Sequence, residues 1–265
     1  MKSIILNALI LLLILGSIIF LNNSFSNNNN FAVILDTGKA DCIVIKNNDN
    51  IIVIDTAESE DFSKIKKFLD SSNITQVDYL IITHFDKDHV GGASQLIDNY
   101  RVLNVIEPSY LKESEYVDDY RDSLKSSPQT VLTILDKELE LDFIGMKLIP
   151  TSLEDVNSNN NSIICELVLE GKNILLMGDA EEKRLDEYLS DNNLNNNYDF
   201  IKMPHHGSYN DMLESLIQYA DPKAVGITCS SKNPADEETL ELLDKYNIKT
   251  YLTEYGNIDI LEALK

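Results

Sequence analysis

Short runs of aliphatic and β-branched residues punctuate the chain from residue 31 onward: FAVIL at 31–35, CIVI at 42–45 and IIVI at 51–54, separated by the turn-rich stretches TGKAD and KNNDN. Brief apolar runs bounded by turn formers predict a meander of strands. A helix-like segment over 61–69 follows, then the strand YLIIT at 79–83, a polar loop, and a helix over 92–99. Strands and helices then alternate. The second half repeats the plan more loosely: SIICELVL at 162–169, NILLM at 173–177, a helix over 180–190, DFIKM at 199–203, a helix near 211–219, AVGIT at 224–228, a helix over 236–246 and KTYLT at 249–253. Meanders plus βα alternation in two halves predict an α/β fold of two mixed sheets packed face to face with helices outside. The Asn-rich clusters at 157–161 and 192–197 read as loops.

One segment stands apart. Residues 4–21, IILNALILLLILGSIIFL, are apolar except for Asn7, Gly16 and Ser17, and Met1 and Lys2 precede them as a short positive flank. A spanning helix needs about 17–25 such residues, so this hydrophobic helix is either a cleaved signal or an uncleaved anchor. With Lys2 kept inside, both outcomes place the rest of the chain outside the cytoplasmic membrane, anchored or secreted. The polar run at 27–30 reads as a tether. The expected organisation is therefore a signal peptide or signal anchor plus tether over 1–30, and one domain over 31–265.

Charge narrows the functions. In 265 residues, 22 Lys and Arg face 44 Asp and Glu, a formal net charge of −22. Such a surface repels polyanions, which excludes a basic cradle and stable nucleic-acid binding. A phosphate-bearing substrate would need a local cation, most simply a metal. The three cysteines, Cys42, Cys165 and Cys229, cannot pair completely and read as buried thiols on strands.

All four histidines fall in two short clusters at the ends of predicted strands, THFDKDH at 83–89 and MPHHGS at 203–208. His84, Asp86, Asp88 and His89 put four metal-competent side chains directly after an apolar strand. Alternate positions of an extended segment point the same way, so His84 and Asp86 can share one ion while Asp88 and His89 turn toward another. Asp179, in MGDAEE, follows another apolar strand and reads as a bridging carboxylate or a helix N-cap. Of His205 and His206, one reads as a ligand and the other as a proton donor or phosphate contact.

The stretches HFDKDHVGG, NNNSIICEL, LLMGDAEE and IKMPHHGS resemble the metallo-β-lactamase fold, and among its branches the hydrolase domain of ComEC DNA-uptake proteins and its free-standing relatives. LDTGKAD and VIDTA are similar to that family's first strand-pair motifs. The resemblance implies a four-layer αββα sandwich with one or two divalent ions, Zn²⁺ or Mn²⁺, along one edge. It implies His84 and Asp86 at a first metal position, Asp88 and His89 at a second, Asp179 bridging, His205 closing the second, and Asp55 in support. Asp86 stands where most of the superfamily has His, and Asn160, Asn161 and Ser162 where it has another, so a three-imidazole first site is excluded and oxygen donors favour harder ions. Ala40 and Ala57 replace family glycines, and KNPADEE at 232–238 replaces a longer loop with a further His.

The expected mechanism uses metal-bound hydroxide, oriented by Asp88, with His206 as proton donor to the leaving group. His206 as a mere neighbour supporting His205 is the other reading. The expected function is an extracytoplasmic metal-dependent hydrolase of phosphodiesters, small-molecule or nucleic-acid. The alternatives are a small ester or lactam hydrolase and a non-enzymatic metal-binding surface domain.

Overall fold

The computed structural model describes residues 30–265 apart from Leu111, Glu154 and 191–196. The apolar segment 4–21 and most of the Asn-rich stretch 192–197 therefore lie outside the described residues. Among the described residues no helix is long and apolar enough to cross a membrane.

Strands β1 (Phe31–Ile34), β2 (Ile43–Asn47), β3 (Asn50–Ile54), β4 (Gln76–Ile81), β5 (Arg101–Pro108) and β6 (Val131–Leu135) fill the first half. β7 (Leu139–Leu141), β8 (Met146–Ile149), β9 (Ile164–Leu169), β10 (Lys172–Leu176), β11 (Phe200–Lys202), β12 (Ala224–Ile227), β13 (Lys249–Leu252) and β14 (Ile258–Asp259) follow. They form two seven-stranded sheets, ordered β14-β1-β2-β3-β4-β5-β6 and β13-β12-β11-β10-β9-β8-β7. Both are mixed: β1 to β3 and β7 to β10 run as antiparallel meanders, and β3 to β6 and β10 to β13 are parallel.

Alternation along the strands explains the layering. In β3, Ile52 and Ile54 point between the sheets, where they meet the face carrying Met146, Leu148, Cys165, Leu167 and Ile174. Ile51 and Val53 point the other way, toward helices α1 (Phe62–Ser71), α3 (Ala93–Asn99) and α4 (Glu115–Ser126); α2 (Lys87–Val90) is a single turn just before α3. On the far side, α5 (Glu182–Ser190), α6 (Leu213–Ala220) and α7 (Glu237–Lys245) bury Leu185, Leu213, Leu216 and Leu243 against Ile164, Leu175, Ile201 and Val225. A strand covered on both faces must be apolar at every position, which is why IIVI and NILLM show no polar alternation. Each fully buried aliphatic side chain contributes roughly 1.5–3 kcal/mol.

The expected two mixed sheets with flanking helices are present. The differences are local. The stretch after the 79–83 strand contains the turn α2, too short for a periodicity signal. At the C-terminus β14 returns to pair with β1, Val33 opposite Asp259 and Ile34 opposite Ile258, before the short helix α8 (Ile260–Ala263). A two-residue strand carries no pattern to read. The Asn-rich stretch 157–161 holds a 3-10 turn, Ser158–Asn161, with Asn160 and Asn161 buried. All three cysteines are buried free thiols.

Candidate metal centre

The parallel strands of both sheets deliver their C-terminal ends to one edge. Asp55 follows β3, the His84–His89 loop follows β4, Asp179 follows β10, Lys202 ends β11, His206 lies beyond it, and Thr228 follows β12. Asp41, from the β1–β2 connection, and Ser162, just before β9, complete the ring. Backbone hydrogen bonds lock these loops together: Asp55 N to Ile81 O at 2.9 Å, Thr56 N to His89 O at 2.7 Å, Asp41 N to Asp88 O at 3.0 Å and Ile163 N to Thr83 O at 3.0 Å. Gly92 permits the close approach, since a Cβ there would sit 2.4 Å from the Thr56 carbonyl oxygen.

Asp88, His89, Asp179 and His206 bring one ligand atom each to within 4.8 Å of one another. His206 Nε2 lies 3.2 Å from Asp88 Oδ2 and 3.2 Å from Asp179 Oδ2, and His89 Nε2 lies 3.2 Å from the same Asp179 oxygen. His84 Nε2, His89 Nε2 and Asp179 Oδ1 are buried with no hydrogen-bond partner. Buried polar atoms without a hydrogen-bond partner cost free energy unless a ligand supplies one. Two imidazoles and two carboxylates fit a divalent cation.

Supporting contacts fix the imidazoles. Asp55, fully buried, accepts from Thr83 N at 2.8 Å, from Thr83 Oγ1 at 2.6 Å and from His89 Nδ1 at 2.7 Å, which turns His89 Nε2 inward. Thr228 Oγ1 donates to Asp41 Oδ1 at 2.6 Å and lies 2.8 Å from His206 Nδ1. A hydroxyl has one proton, so having given it to Asp41 it can only accept from His206 Nδ1–H. His206 Nε2 is thereby aimed into the centre.

The sequence reading assigned the inner role to His205 and the outer one to His206, and the structure reverses them. His205, His206 and Gly207 all have positive φ, at 45°, 54° and 77°. Successive left-handed residues swing His206 inward, 1% exposed, and turn His205 to the rim, 30% exposed and 3.2 Å from Glu181 Oε1. Gly207 suits that conformation; the two histidines hold it at a cost of about 1–3 kcal/mol each. Asp86 is also not where the spacing put it. Its carboxylate is taken by Lys112 and Ser158, outside the group of four. His84 packs its ring 4.0 Å from that of His89, beside the four rather than among them. Where a further imidazole was missing, Ser162 Oγ accepts from Asp179 N at 3.1 Å and lies 3.5 Å from His84 Nδ1.

Charge coupling follows the geometry. Burial, with the neighbouring His89, pushes His84 down to about 4 against the pull of Asp179, Asp86 and Asp55, so it is neutral at pH 7 with a free nitrogen. Burial would also depress His89 and His206, but the carboxylates outweigh it: Asp179 and Asp55 hold His89 well above its ordinary value, and Asp179, Asp88 and Asp41 raise His206. Against burial, His206 and His89 hold Asp179 well below the usual carboxylate range and also lower Asp88. Lys202 and Arg184 are among the site residues that the sequence reading did not single out. Lys202 is fully buried and ion-paired to Asp41, and burial is outweighed by Asp41, Asp179 and Asp55, which raise it above its usual value. Arg184 is buried under the centre, with Nε donating to Ser162 O at 3.0 Å. A lysine closing the otherwise apolar strand FIK was the available signal for the first.

Two face-to-face mixed sheets with an aspartate–histidine cluster along the strand-end edge define a class of metal-site proteins. Residues 35–225 match the family described as the metallo-beta-lactamase superfamily, and the chain belongs to it. It is 28% identical to ComE operon protein 3 of Bacillus subtilis (strain 168) over 200 residues, covering 71% of this chain and 25% of that one. The chain spans about a quarter of the length of the curated relatives it matches. Among solved structures it is similar to the metallo-beta-lactamase fold protein YhfI from Bacillus subtilis, with a TM-score of 0.59, 10% identity, and coverage of 87% of this chain and 99% of that one. It is also similar to a diphosphatase of the PhnP family, with a TM-score of 0.50, 15% identity, and coverage of 82% and 83%.

Proposed function

We propose that the protein is a metal-dependent hydrolase of phosphoric diesters, acting outside the cytoplasmic membrane to which its apolar segment 4–21 directs it. The observation that carries the reading is the convergence of Asp88, His89, Asp179 and His206, with buried ligand atoms left unpaired. A divalent cation, Zn²⁺ or Mn²⁺, held by these residues would lower the pKa of water and offset charge developing at phosphorus. Asp88, its side chain 29% exposed, is the member of the four that reaches solvent, and it would orient the attacking water. His205, at the rim beside Glu181, would donate a proton to the leaving oxygen. Lys112, its side chain 34% exposed beside Asp86, offers the mouth a cation that an anionic substrate requires on so acidic a protein. The resemblance to ComEC-type domains and the likeness in fold to a diphosphatase support a phosphate ester over a lactam.

The test incubates chelator-stripped full-length protein with Mn²⁺ or Zn²⁺ and either single-stranded DNA or bis(p-nitrophenyl) phosphate, with His206→Ala as control. Metal-dependent cleavage lost in the control is expected; cleavage of neither substrate refutes the reading. The commitment of Asp86 to Lys112 and the presence of Ser162 favour a second reading, a metal-binding domain without turnover. Bound metal without hydrolysis of either phosphate substrate or of chromogenic esters and lactams would select it.

A further inference from the structure

Lys202 is the one lysine among the described residues with no exposed surface, and it sits under the metal centre rather than beside it. Its ammonium pairs with Asp41, lies 3.7 Å from Asp179 Oδ1 and donates to Gly178 O at 3.1 Å. A buried ammonium is stable only when carboxylates surround it, and these carboxylates are likewise stable only with a cation among them. The edge carries a second potential ligand group, Asp41, Asp55 and His89, whose ligand atoms also lie within 4.8 Å of one another. That group is already served. Asp41 receives Lys202 and Thr228, and Asp55 receives Thr83 and His89 Nδ1. The atoms of this edge without a hydrogen-bond partner are instead His84 Nε2, His89 Nε2 and Asp179 Oδ1.

We propose that Lys202 is the resident cation of the centre: it fills the carboxylate pocket between Asp41 and Asp179, closes that pocket to a divalent ion, and positions His206 through Asp41 and Thr228. The proposal rests on reading Asp88, His89, Asp179 and His206 as the metal-holding group. The relay is continuous. Lys202 holds Asp41, Asp41 accepts a hydrogen bond from Thr228 Oγ1, and Thr228 Oγ1 accepts one from His206 Nδ1, leaving Nε2 for the centre. Lys202 is thus a positioning residue, fixing both where a metal goes and which nitrogen meets it.

Equilibrium dialysis of full-length protein against Mn²⁺, with elemental analysis, tests this. Lys202→Met should bind one more Mn²⁺ per chain than the wild type. It should also melt lower without metal and recover more with it. The double variant K202M/D41N, which removes the carboxylate along with the ammonium, should return to the wild-type number. Should K202M not fold, Asp41→Asn decides: the ammonium, left with Asp179 alone, should compete with metal and lower Mn²⁺ affinity at least tenfold. K202M with the wild-type number and affinity, or D41N with unchanged affinity, overturns the proposal. A wild-type chain that binds neither Mn²⁺ nor Zn²⁺ overturns the metal-centre reading instead. Lys202 is then still judged by whether K202M alone acquires a Mn²⁺-dependent rise in melting temperature.

Discussion

Asp55→Asn should cut metal affinity while leaving the fold standing, and the reason lies in one tautomer. Asp55 Oδ2 accepts from both Thr83 Oγ1 and His89 Nδ1 while Oδ1 accepts from Thr83 N. An asparagine keeps a single oxygen. If that oxygen stays on the Thr83 amide, its NH₂ faces His89 Nδ1, which must then accept, so the imidazole proton moves to Nε2 and occupies the lone pair aimed at the metal. Loss of such an orienting partner lowers metal affinity about 10–100-fold, or roughly 1.4–2.7 kcal/mol. The backbone should tolerate the change, because φ at Asp55 is 57° and asparagine accepts the left-handed region. Asp55→Ala is the contrast. It orphans two buried donors, Thr83 N–H and His89 Nδ1–H, while Thr83 O–H can turn to His84 Nδ1 at 3.2 Å, so at about 1–3 kcal/mol each the cost is about 2–6 kcal/mol against a typical total stability of about 5–15 kcal/mol. Titration calorimetry of Mn²⁺ or Zn²⁺ into stripped full-length protein, beside urea melts, reads both. A D55N variant that binds metal within threefold of the wild type would refute the tautomer argument.

Three further outcomes follow from the same geometry. His206→Ala should abolish tight metal binding while His205→Ala leaves affinity within a few fold and lowers turnover, checked by calorimetry and phosphodiester hydrolysis; equal losses of affinity would contradict the inward and outward placement. Gly92→Ala should destabilise by about 1–3 kcal/mol in urea melts, because its Cβ would sit 2.4 Å from the Thr56 carbonyl oxygen and force apart the loops that carry Asp55 and His89. Glu187 titrates below its ordinary value: half burial opposes this, but Ser152, Thr151 and Arg184 outweigh it. A depressed carboxyl contributes stability above its unfolded value near 4.3 that is lost as pH falls through the folded value, so Glu187→Gln should flatten the acid limb of the stability curve below about pH 5. Melting temperatures of wild type and variant from pH 6 to 3 check it, and parallel curves would show that the pairing carries no linkage.

How much was legible beforehand differs between the strands and the site. FAVIL, IIVI, YLIIT and NILLM announced doubly covered strands because burial on both faces demands apolar residues at every position. The histidine clusters were visible for a related reason: a strand held on both sides presents its last residues rigidly, so chemistry collects there. Lys202 was overlooked because a lysine at the end of an apolar run reads as a solvent-facing terminus unless its partners are known, and its partner Asp41 lies in a distant turn. Glu181 precedes and Arg184 belongs to a helix whose start was legible, but their neighbours Asn159 and Ser162 come from another connection altogether.

By itself, then, the sequence determined the paired sheets and the strand-end edge along which histidines and aspartates gather, since these depend on local apolar pattern and on residue type. Which of two adjacent histidines turns inward was decided by tertiary structure alone. The left-handed turn at His205 and His206 is held by contacts from other strands: Gly178 O accepts from His205 N at 3.2 Å, and Thr228 lies 2.8 Å from the His206 ring. Asp86 shows the same limit. Its spacing from His84 favours a shared ion, yet Lys112 and Ser158, brought from two other loops, take its carboxylate away. Side-chain direction at a strand end depends on partners that chain proximity does not encode.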